Sequence, residues 1–167
     1  MEIKKFTRLS MLLALAIVLN IIESFIPFFN GIIPGLRLGL ANTITLLVLF
    51  IYGFKDAFTL SILRVFLVGI LRTGLFSLPF FFSFGGVVLS GVMMQLVKKT
   101  GLSIIGISII GSISHCVGQV IMAYFLLNTA SILYYLPWLL LFSIPTGIVI
   151  GLISKELVNY FQKRLKY

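Results

Sequence analysis

The sequence predicts an all-α integral membrane protein of six transmembrane helices, with both termini in the cytoplasm. Three observations support this class: a strongly apolar composition, six separate apolar runs, and basic residues concentrated in alternate segments between them. Of the 167 residues, 60% are hydrophobic and 10% are charged, and the mean hydropathy is +1.19. Soluble domains are nearer half apolar and a quarter charged. A soluble fold of this size would therefore have too few polar residues to cover its exterior.

The apolar runs supply the predicted helices. A membrane span needs about 20 mostly apolar residues, so the chain has room for roughly six spans with short loops and for no soluble catalytic domain. We expect one transmembrane domain covering residues 1–167. Its predicted helices occupy residues 9–29, 36–52, 57–71, 78–97, 102–127 and 132–158.

The first three runs differ in length and in their interruptions. Pro27 breaks the first run near its end, and Pro34-Gly35 introduces the second. Because proline cannot continue a helix without losing a hydrogen bond, these positions bound the helices. The second and third runs are short, so we expect their helices to be tilted or partly broken.

The last three runs are longer. The fourth has Pro79 near its start, where a helix tolerates proline. The fifth is long enough to tilt or bend in the membrane. The sixth contains Pro137 and Pro145 and continues past Ser154 into a polar, basic tail.

The distribution of basic residues orients the predicted bundle. Lys and Arg concentrate in cytoplasmic loops of membrane proteins. With six spans, the N-terminus, the second and fourth loops and the C-terminal tail share one side, whereas an odd number of spans would place the basic tail outside. Ten of the thirteen basic residues lie in these segments: Lys4, Lys5, Arg8, Lys55, Lys98, Lys99, Lys155, Lys163, Arg164 and Lys166.

Three arginines depart from this pattern and indicate a site in the outer half. Arg37 opens the second helix, and Arg64 lies roughly 13 Å beyond Lys55 at a rise of about 1.5 Å per residue. Arg72 follows eight residues later, within about 80° of the same azimuth on a regular helix. A charge at the bilayer centre costs at least about 2.5–3.5 kcal/mol, so Arg64 should face the bundle interior or a water-filled cavity.

Glu23 is the one acidic residue at the level of these arginines. One carboxylate cannot neutralise three guanidinium groups, and an anionic ligand held by bidentate hydrogen bonds would balance the surplus. The alternative is that Glu23 pairs with one arginine, while Arg37 and Arg72 extend to the outer lipid headgroups.

Uncharged polar residues occur at a similar depth. His115 and Gln119 are four residues apart and share a helix face, and Asn42 lies near the start of the second helix. We predict that these three side chains orient a bound substrate together with Arg37, Arg64 and Arg72. The alternative for His115 is an interhelical hydrogen bond. No metal site is expected, because there is one His and the single Cys116 is adjacent to it.

The sequence contains no pattern typical of an enzyme or an ATPase. There is no P-loop, no G-x-G-x-x-G and no supported nucleophile–base pair, so we expect no catalytic residue, no cofactor and no ATP hydrolysis by the chain itself. The net charge of +9 does not indicate nucleic-acid binding, because most basic residues lie next to the membrane surface.

Small residues recur in the predicted helices. Several glycines, including the Gly147-xxx-Gly151 pair, should allow close helix packing inside the bundle. Ser10 and Ala14 form a small-xxx-small pair near the cytoplasmic end of the first helix, where a partner protein could dock.

Four stretches resemble a known family. They are Pro34-Gly35-Leu36-Arg37-Leu38-Gly39-Leu40-Ala41-Asn42, Leu60-Ser61-Ile62-Leu63-Arg64, Ser83-Phe84-Gly85-Gly86 and Ser114-His115-Cys116-Val117-Gly118-Gln119. The first block is the most specific of the four. Together they resemble the bacterial membrane proteins of the Gx transporter family, also named heptaprenyl diphosphate synthase component I, over most of the chain.

That family in turn resembles the substrate-binding S components of energy-coupling factor (ECF) transporters. The resemblance implies six helices with cytoplasmic termini in the bacterial cell membrane, and binding of a vitamin-like micronutrient on the outer side. It also implies a transmembrane coupling subunit and two ATPases as partners. In S components an A-x-x-x-A motif on the first helix contacts the coupling subunit, and Ser10-xxx-Ala14 is the nearest equivalent here.

Three functions therefore remain open, and the last of them is a purely structural membrane scaffold. The first is a substrate-binding subunit for uptake or export of a small, anionic or amphipathic molecule, energised by partner ATPases. The alternative is a membrane accessory subunit of isoprenoid or quinone biosynthesis that anchors a prenyl synthase or binds a prenyl diphosphate. The chain lacks the D-D-x-x-D motif that holds magnesium and a diphosphate, so it should not make prenyl chains alone.

Overall fold

Helices and turns make up the structure of residues 2–25 and 39–165, which are the residues that the computed structural model describes. Six α-helices, numbered α1 to α6 in chain order, cover Glu2–Ser24, Leu40–Ile51, Phe54–Val68, Leu78–Lys98, Ile104–Leu127 and Leu136–Leu165. A π-helical segment, Gly69–Thr73, continues α3, and a 3₁₀ segment, Ala130–Tyr135, leads into α6. The predicted all-helical class is confirmed for the described part of the chain, which contains no strand.

Local sequence signals explain several helix boundaries. Ser77 caps α4 by accepting a hydrogen bond from the Phe80 N–H at 3.4 Å, and Ser103 caps α5 by accepting one from the Gly106 N–H at 3.2 Å. At the other end of the chain, α1 begins at Glu2 rather than at residue 9. Hydropathy alone does not detect that first polar part of the helix.

Four helical stretches are long and apolar enough to cross a membrane. They are Ile3–Ser24, Leu78–Lys98, Ile104–Leu127 and Ala130–Lys163. The apolar helix α2 has 12 residues, or about 18 Å, against about 30 Å for the hydrocarbon core. Four such stretches indicate a protein embedded in a membrane.

The short helix α2 lies at the centre of the bundle. It packs against α1, α3 and α6, and every residue from Thr43 to Leu49 is buried. A helix that is apolar on all sides is stable only when it is surrounded, and α2 meets that condition through a core that includes Ala16 of α1 and Ile150 of α6.

Glycines allow α5 to approach both of its neighbours closely. A Cβ atom on Gly118 would lie 2.5 Å from the Gly85 carbonyl oxygen of α4. On the opposite side, a Cβ on Gly147 would lie 2.8 Å from the Cα of Ile109, and one on Gly151 would meet the Cα of Ile105 at the same distance. The prediction that these glycines pack helices together within the bundle is confirmed.

Lysines of α1 and α4 lie at one end of the bundle, called the basic end below. Lys5 forms a 2.7 Å ion pair with Asp56 in the first turn of α3. Lys98 donates a 2.7 Å hydrogen bond to the carbonyl oxygen of Leu49 near the end of α2, where it also lies 4.8 Å from the centre of the Phe50 ring. The opposite end of the bundle contains the cavity described next.

Candidate functional site

A cavity opens at the end of the bundle opposite the basic end. It encloses about 830 Å³ of empty space, part of it at the open mouth. All six helices and the π-helical segment contribute to its wall. The polar lining residues are Asn20, Glu23, Asn42, Arg64, Thr73, Ser83, Ser112, His115, Cys116, Gln119, Ser143 and Thr146.

Arg64 is held in the cavity wall by Asn42. Its side chain is 4% exposed, and its Nη2 atom donates a hydrogen bond of 3.1 Å to the Asn42 Oδ1 atom. Asn42 lies in the first turn of α2, whereas Arg64 lies near the end of α3. The prediction that Arg64 faces the bundle interior is confirmed, as expected for a cation that lipid would not tolerate.

Glu23 is held on the same side of the cavity by the residue that precedes α2. The Gly39 N–H donates a hydrogen bond to the Glu23 Oε1 atom, and Glu23 is 5% exposed. Gly39 has a φ of +78°, a conformation that costs other residues energy. The backbone at the start of α2 therefore orients a buried carboxylate, and three residues later the Asn42 side chain orients a buried guanidinium.

His115 and Gln119 line the cavity from α5, so their spacing of four residues does place them on one cavity-facing side. The His115 ring lies against Gly86 of α4, where a Cβ atom would be 2.8 Å from the His115 Cε1 atom. The absence of a side chain on Gly86 therefore makes room for the imidazole. This wall of the cavity, formed by α4, α5 and α6, carries side chains that hydrogen-bond without a fixed charge.

Of the predicted binding residues, Arg72 is not among those that line this cavity. Arg72 is exposed, and its neighbour Thr73 lines the cavity instead. The expected alignment of Arg72 with Arg64 assumed a regular α-helix, but the wider turns of the π-helical segment Gly69–Thr73 change the azimuth of every residue after Val68. Arg37 lies outside the described residues.

The cavity also includes polar residues that the sequence did not distinguish. Ser83 belongs to one of the four family-like stretches, but Ser112, Ser143 and Thr146 have no motif around them. Small hydroxyl residues are common at helix contacts in membranes, so their composition and spacing could not separate lining from packing. Within residues 2–25 and 39–165, no three His, Cys, Asp or Glu side chains form a group suited to a metal ion.

The predicted docking pair lies away from the cavity. Ser10 and Ala14 are both exposed on α1, on the face that also exposes Met11 and Leu15. This face belongs to the half of α1 nearest the basic end.

Comparison with known proteins gives one match. A family model described as heptaprenyl diphosphate synthase component I matches residues 12–157. No curated protein and no solved structure matches the chain. Because residues 12–157 make up most of the 167-residue chain, the chain belongs to the heptaprenyl diphosphate synthase component I family, which is also labelled the Gx transporter family.

Proposed function

We propose that this protein is the substrate-binding membrane subunit of a transporter similar to the ECF type, and that it binds a small anionic or amphipathic molecule. The observation that carries the proposal is the cavity, in which Asn42 holds the buried Arg64. A polar cavity with a buried arginine costs free energy to maintain in a membrane. Binding a ligand gives that cost a function, and a concave site with a few converging polar groups and apolar surface is typical of small-molecule binding.

In this proposal the chain binds its substrate but is not an enzyme and does not energise transport. Its sequence has no nucleotide-binding motif, so partner ATPases would drive the conformational change through a transmembrane coupling subunit. The exposed Ser10 and Ala14 on α1 are the proposed contact with that subunit, since small residues permit close helix approach.

The proposed orientation places the basic end in the cytoplasm and the cavity in the outer half of the bacterial cell membrane. It requires six spans, with α2 and α3 completing the bundle formed by the four longer helical stretches. The ion pair of Lys5 with Asp56 and the hydrogen bond of Lys98 support this orientation by bringing basic residues together at one end.

Replacing Arg64 tests the binding function. The protein would be isolated from its own membrane in lipid nanodiscs, and the small molecules that accompany it would be quantified by native mass spectrometry. A hydrogen bond to a charged group contributes about 1.5–3 kcal/mol, so Arg64→Gln should reduce occupancy about tenfold or more. Arg64→Lys, which keeps the charge, should retain part of it.

The matched control is Arg8→Gln, which removes an exposed arginine of α1 far from the cavity. It should leave occupancy unchanged. Elution volume and thermal unfolding of each variant would show whether the fold is retained. Equal occupancy in folded Arg64→Gln and in the wild type would contradict the proposed binding role.

The family description favours a second candidate, a membrane accessory subunit of heptaprenyl diphosphate synthesis. The word component in that description suggests a multi-subunit assembly. This candidate predicts co-purification with a prenyl synthase and a changed quinone chain length after deletion of the gene. Co-purification with ATPases and unchanged quinones would instead favour transport.

A further inference from the structure

We infer that the rim of the cavity binds the phospholipid interface and lies at the level of the lipid headgroups. One part of this rim is formed by Tyr134, Tyr135 and Trp138, called the aromatic tip below, and another part is formed by Arg72; all four side chains are exposed. This role goes beyond substrate binding, and the rim would lie at the same level whichever molecule the cavity binds.

The aromatic tip is exposed although the segment that carries it packs against the bundle. Tyr134 is 82% exposed and Trp138 is 58% exposed. From the same stretch of chain, Ile132 and Leu136 pack against the small buried core that α5 and α6 share. The aromatic tip is therefore held by the fold, while the described residues leave its large rings uncovered.

Composition selects the membrane interface as the partner of the aromatic tip. No Asp, Glu, Lys or Arg occurs between Lys99 and Lys155, a stretch that contains all of α5 and the aromatic tip. A charge-free tip with an exposed Leu133 would be poorly solvated if it projected into water. In the hydrocarbon core, the tyrosine hydroxyls and the indole N–H would lose their hydrogen bonds with water. The headgroup level avoids both costs, and Trp and Tyr are enriched there.

Helix length places the aromatic tip about one membrane thickness from the basic end. Trp138 precedes Lys155 by 17 residues of the continuous helix α6, or about 25 Å. On α5, the exposed Tyr124 follows Ser103 by 21 residues, or about 31 Å. The hydrocarbon core is about 30 Å thick. When the basic end lies at one membrane surface, the aromatic residues of both helices therefore reach the other.

Arg72 reaches the same level after α3. It follows Lys55 by 17 residues, which again corresponds to about 25 Å, and its neighbours Leu71 and Phe76 are exposed. An exposed arginine among exposed apolar residues can bury its stem in the membrane and direct its guanidinium to lipid phosphates. Because the adjacent Thr73 lines the cavity, the mouth opens beside this headgroup contact, and a ligand enters from water rather than from the lipid tails.

The fluorescence of Trp138 tests this level directly, because Trp138 is the one tryptophan of the chain. The full chain is placed in phosphatidylcholine nanodiscs whose acyl chains carry bromine either near the headgroup or near the terminal methyl group. Bromine quenches tryptophan only at short range, so the ratio of the two quenching efficiencies reports the depth of the indole. Iodide in the buffer measures its exposure to water.

We expect the bromine near the headgroup to quench Trp138 more strongly than the bromine near the terminal methyl group. The matched control is Ile148→Trp in a Trp138→Phe background. Ile148 is exposed on the same helix, ten residues further on and about 15 Å deeper, so its quenching ratio should be reversed. Leu71→Trp in the same background reports the level beside Arg72 and should give the same ratio as Trp138. Thermal unfolding would show that each variant is folded, and the measurement on Trp138 itself needs no variant.

Three results for Trp138 would overturn the inference. Stronger quenching by the deep bromine would mean that the rim opens into the lipid tails, and quenching by iodide alone would place the aromatic tip in water. Protection from both quenchers would mean that a protein partner or a second copy of the chain covers the tip. A deep position of Leu71→Trp would overturn the headgroup contact of Arg72. Ligand occupancy in Arg64→Gln is measured separately, so the proposed binding function and the level of the rim can fail independently.

Discussion

The Arg64 Nη2 atom donates to the Asn42 Oδ1 atom over 3.1 Å, joining the end of α3 to the first turn of α2. This hydrogen bond links two of the family-like stretches of the sequence through residues that are 22 positions apart. It explains why an asparagine follows the start of the short central helix, and it gives the first prediction.

Asn42→Ala should destabilise the protein and weaken binding together. Removing the Oδ1 acceptor takes a hydrogen bond away from a guanidinium that is 4% exposed, and removing one buried partner costs about 1–3 kcal/mol. Denaturant unfolding in detergent would measure the free energy, and native mass spectrometry the occupancy. Asn159→Ala, on an exposed position of α6, is the matched control. Equal unfolding free energies for the two variants would show that the hydrogen bond contributes little.

Much of this arrangement could be predicted from the sequence, because hydropathy and periodicity report burial. Arg64 had to face inward, since a lipid-exposed guanidinium is costly. His115 and Gln119 had to share a face, since they are one helical turn apart. Both predictions depend on regular α-helix geometry, which holds in α3 and α5.

Where the backbone departs from regular geometry, the same reasoning fails. The π-helical segment rotates Arg72 out of the cavity, and no residue type in Gly69–Thr73 indicates it. Glu23 was predicted to lie level with the arginines, but its hydrogen bond from Gly39 depends on how two helix ends meet. Such contacts between distant segments depend on tertiary packing rather than on local pattern.

Gly39→Ala should destabilise the protein for two separable reasons. The φ of +78° costs a non-glycine residue about 1–2 kcal/mol, and a Cβ would lie 3.0 Å from the Ile150 Cδ1 atom. Gly101→Ala isolates the first effect, because Gly101 has the same φ and no atom within 4 Å of its Cβ position. The loss in unfolding free energy should therefore be larger for Gly39→Ala than for Gly101→Ala.

A double variant tests whether the contact with Ile150 causes the additional loss of unfolding free energy in Gly39→Ala. Ile150→Val removes the Cδ1 atom, so the penalty of Gly39→Ala should be smaller in the Ile150→Val background than in the wild type. A penalty that is the same in both backgrounds would mean that the contact with Ile150 is not its cause.

Gly86→Ala should displace His115 and reduce binding. Its Cβ would lie 2.8–2.9 Å from three atoms of the imidazole, so the ring or the α4–α5 contact must shift. We expect a loss of about 1–3 kcal/mol, as for other overpacked cores, with lower occupancy of the cavity. Gly106→Ala is the control, because its nearest contact is 3.5 Å and the helix gains up to about 1 kcal/mol from alanine. A Gly86→Ala variant with wild-type stability and occupancy would show that the imidazole position is unimportant.

The proposed orientation can be tested with two matched threonine-to-cysteine variants. Thr100 follows α4 at the basic end, and Thr129 follows α5 at the cavity end; both side chains are exposed. In a Cys116→Ser background, which removes the one native thiol, intact cells would be treated with a membrane-impermeant maleimide. Because basic segments remain in the cytoplasm, Thr129→Cys should be labelled in intact cells and Thr100→Cys only after permeabilisation.

The reverse pattern would place the cavity on the cytoplasmic side and exclude uptake by capture from outside. Labelling of both sites in intact cells would place Thr100 and Thr129 on the same side of the membrane. That result would contradict a topology in which α5 crosses the membrane between them.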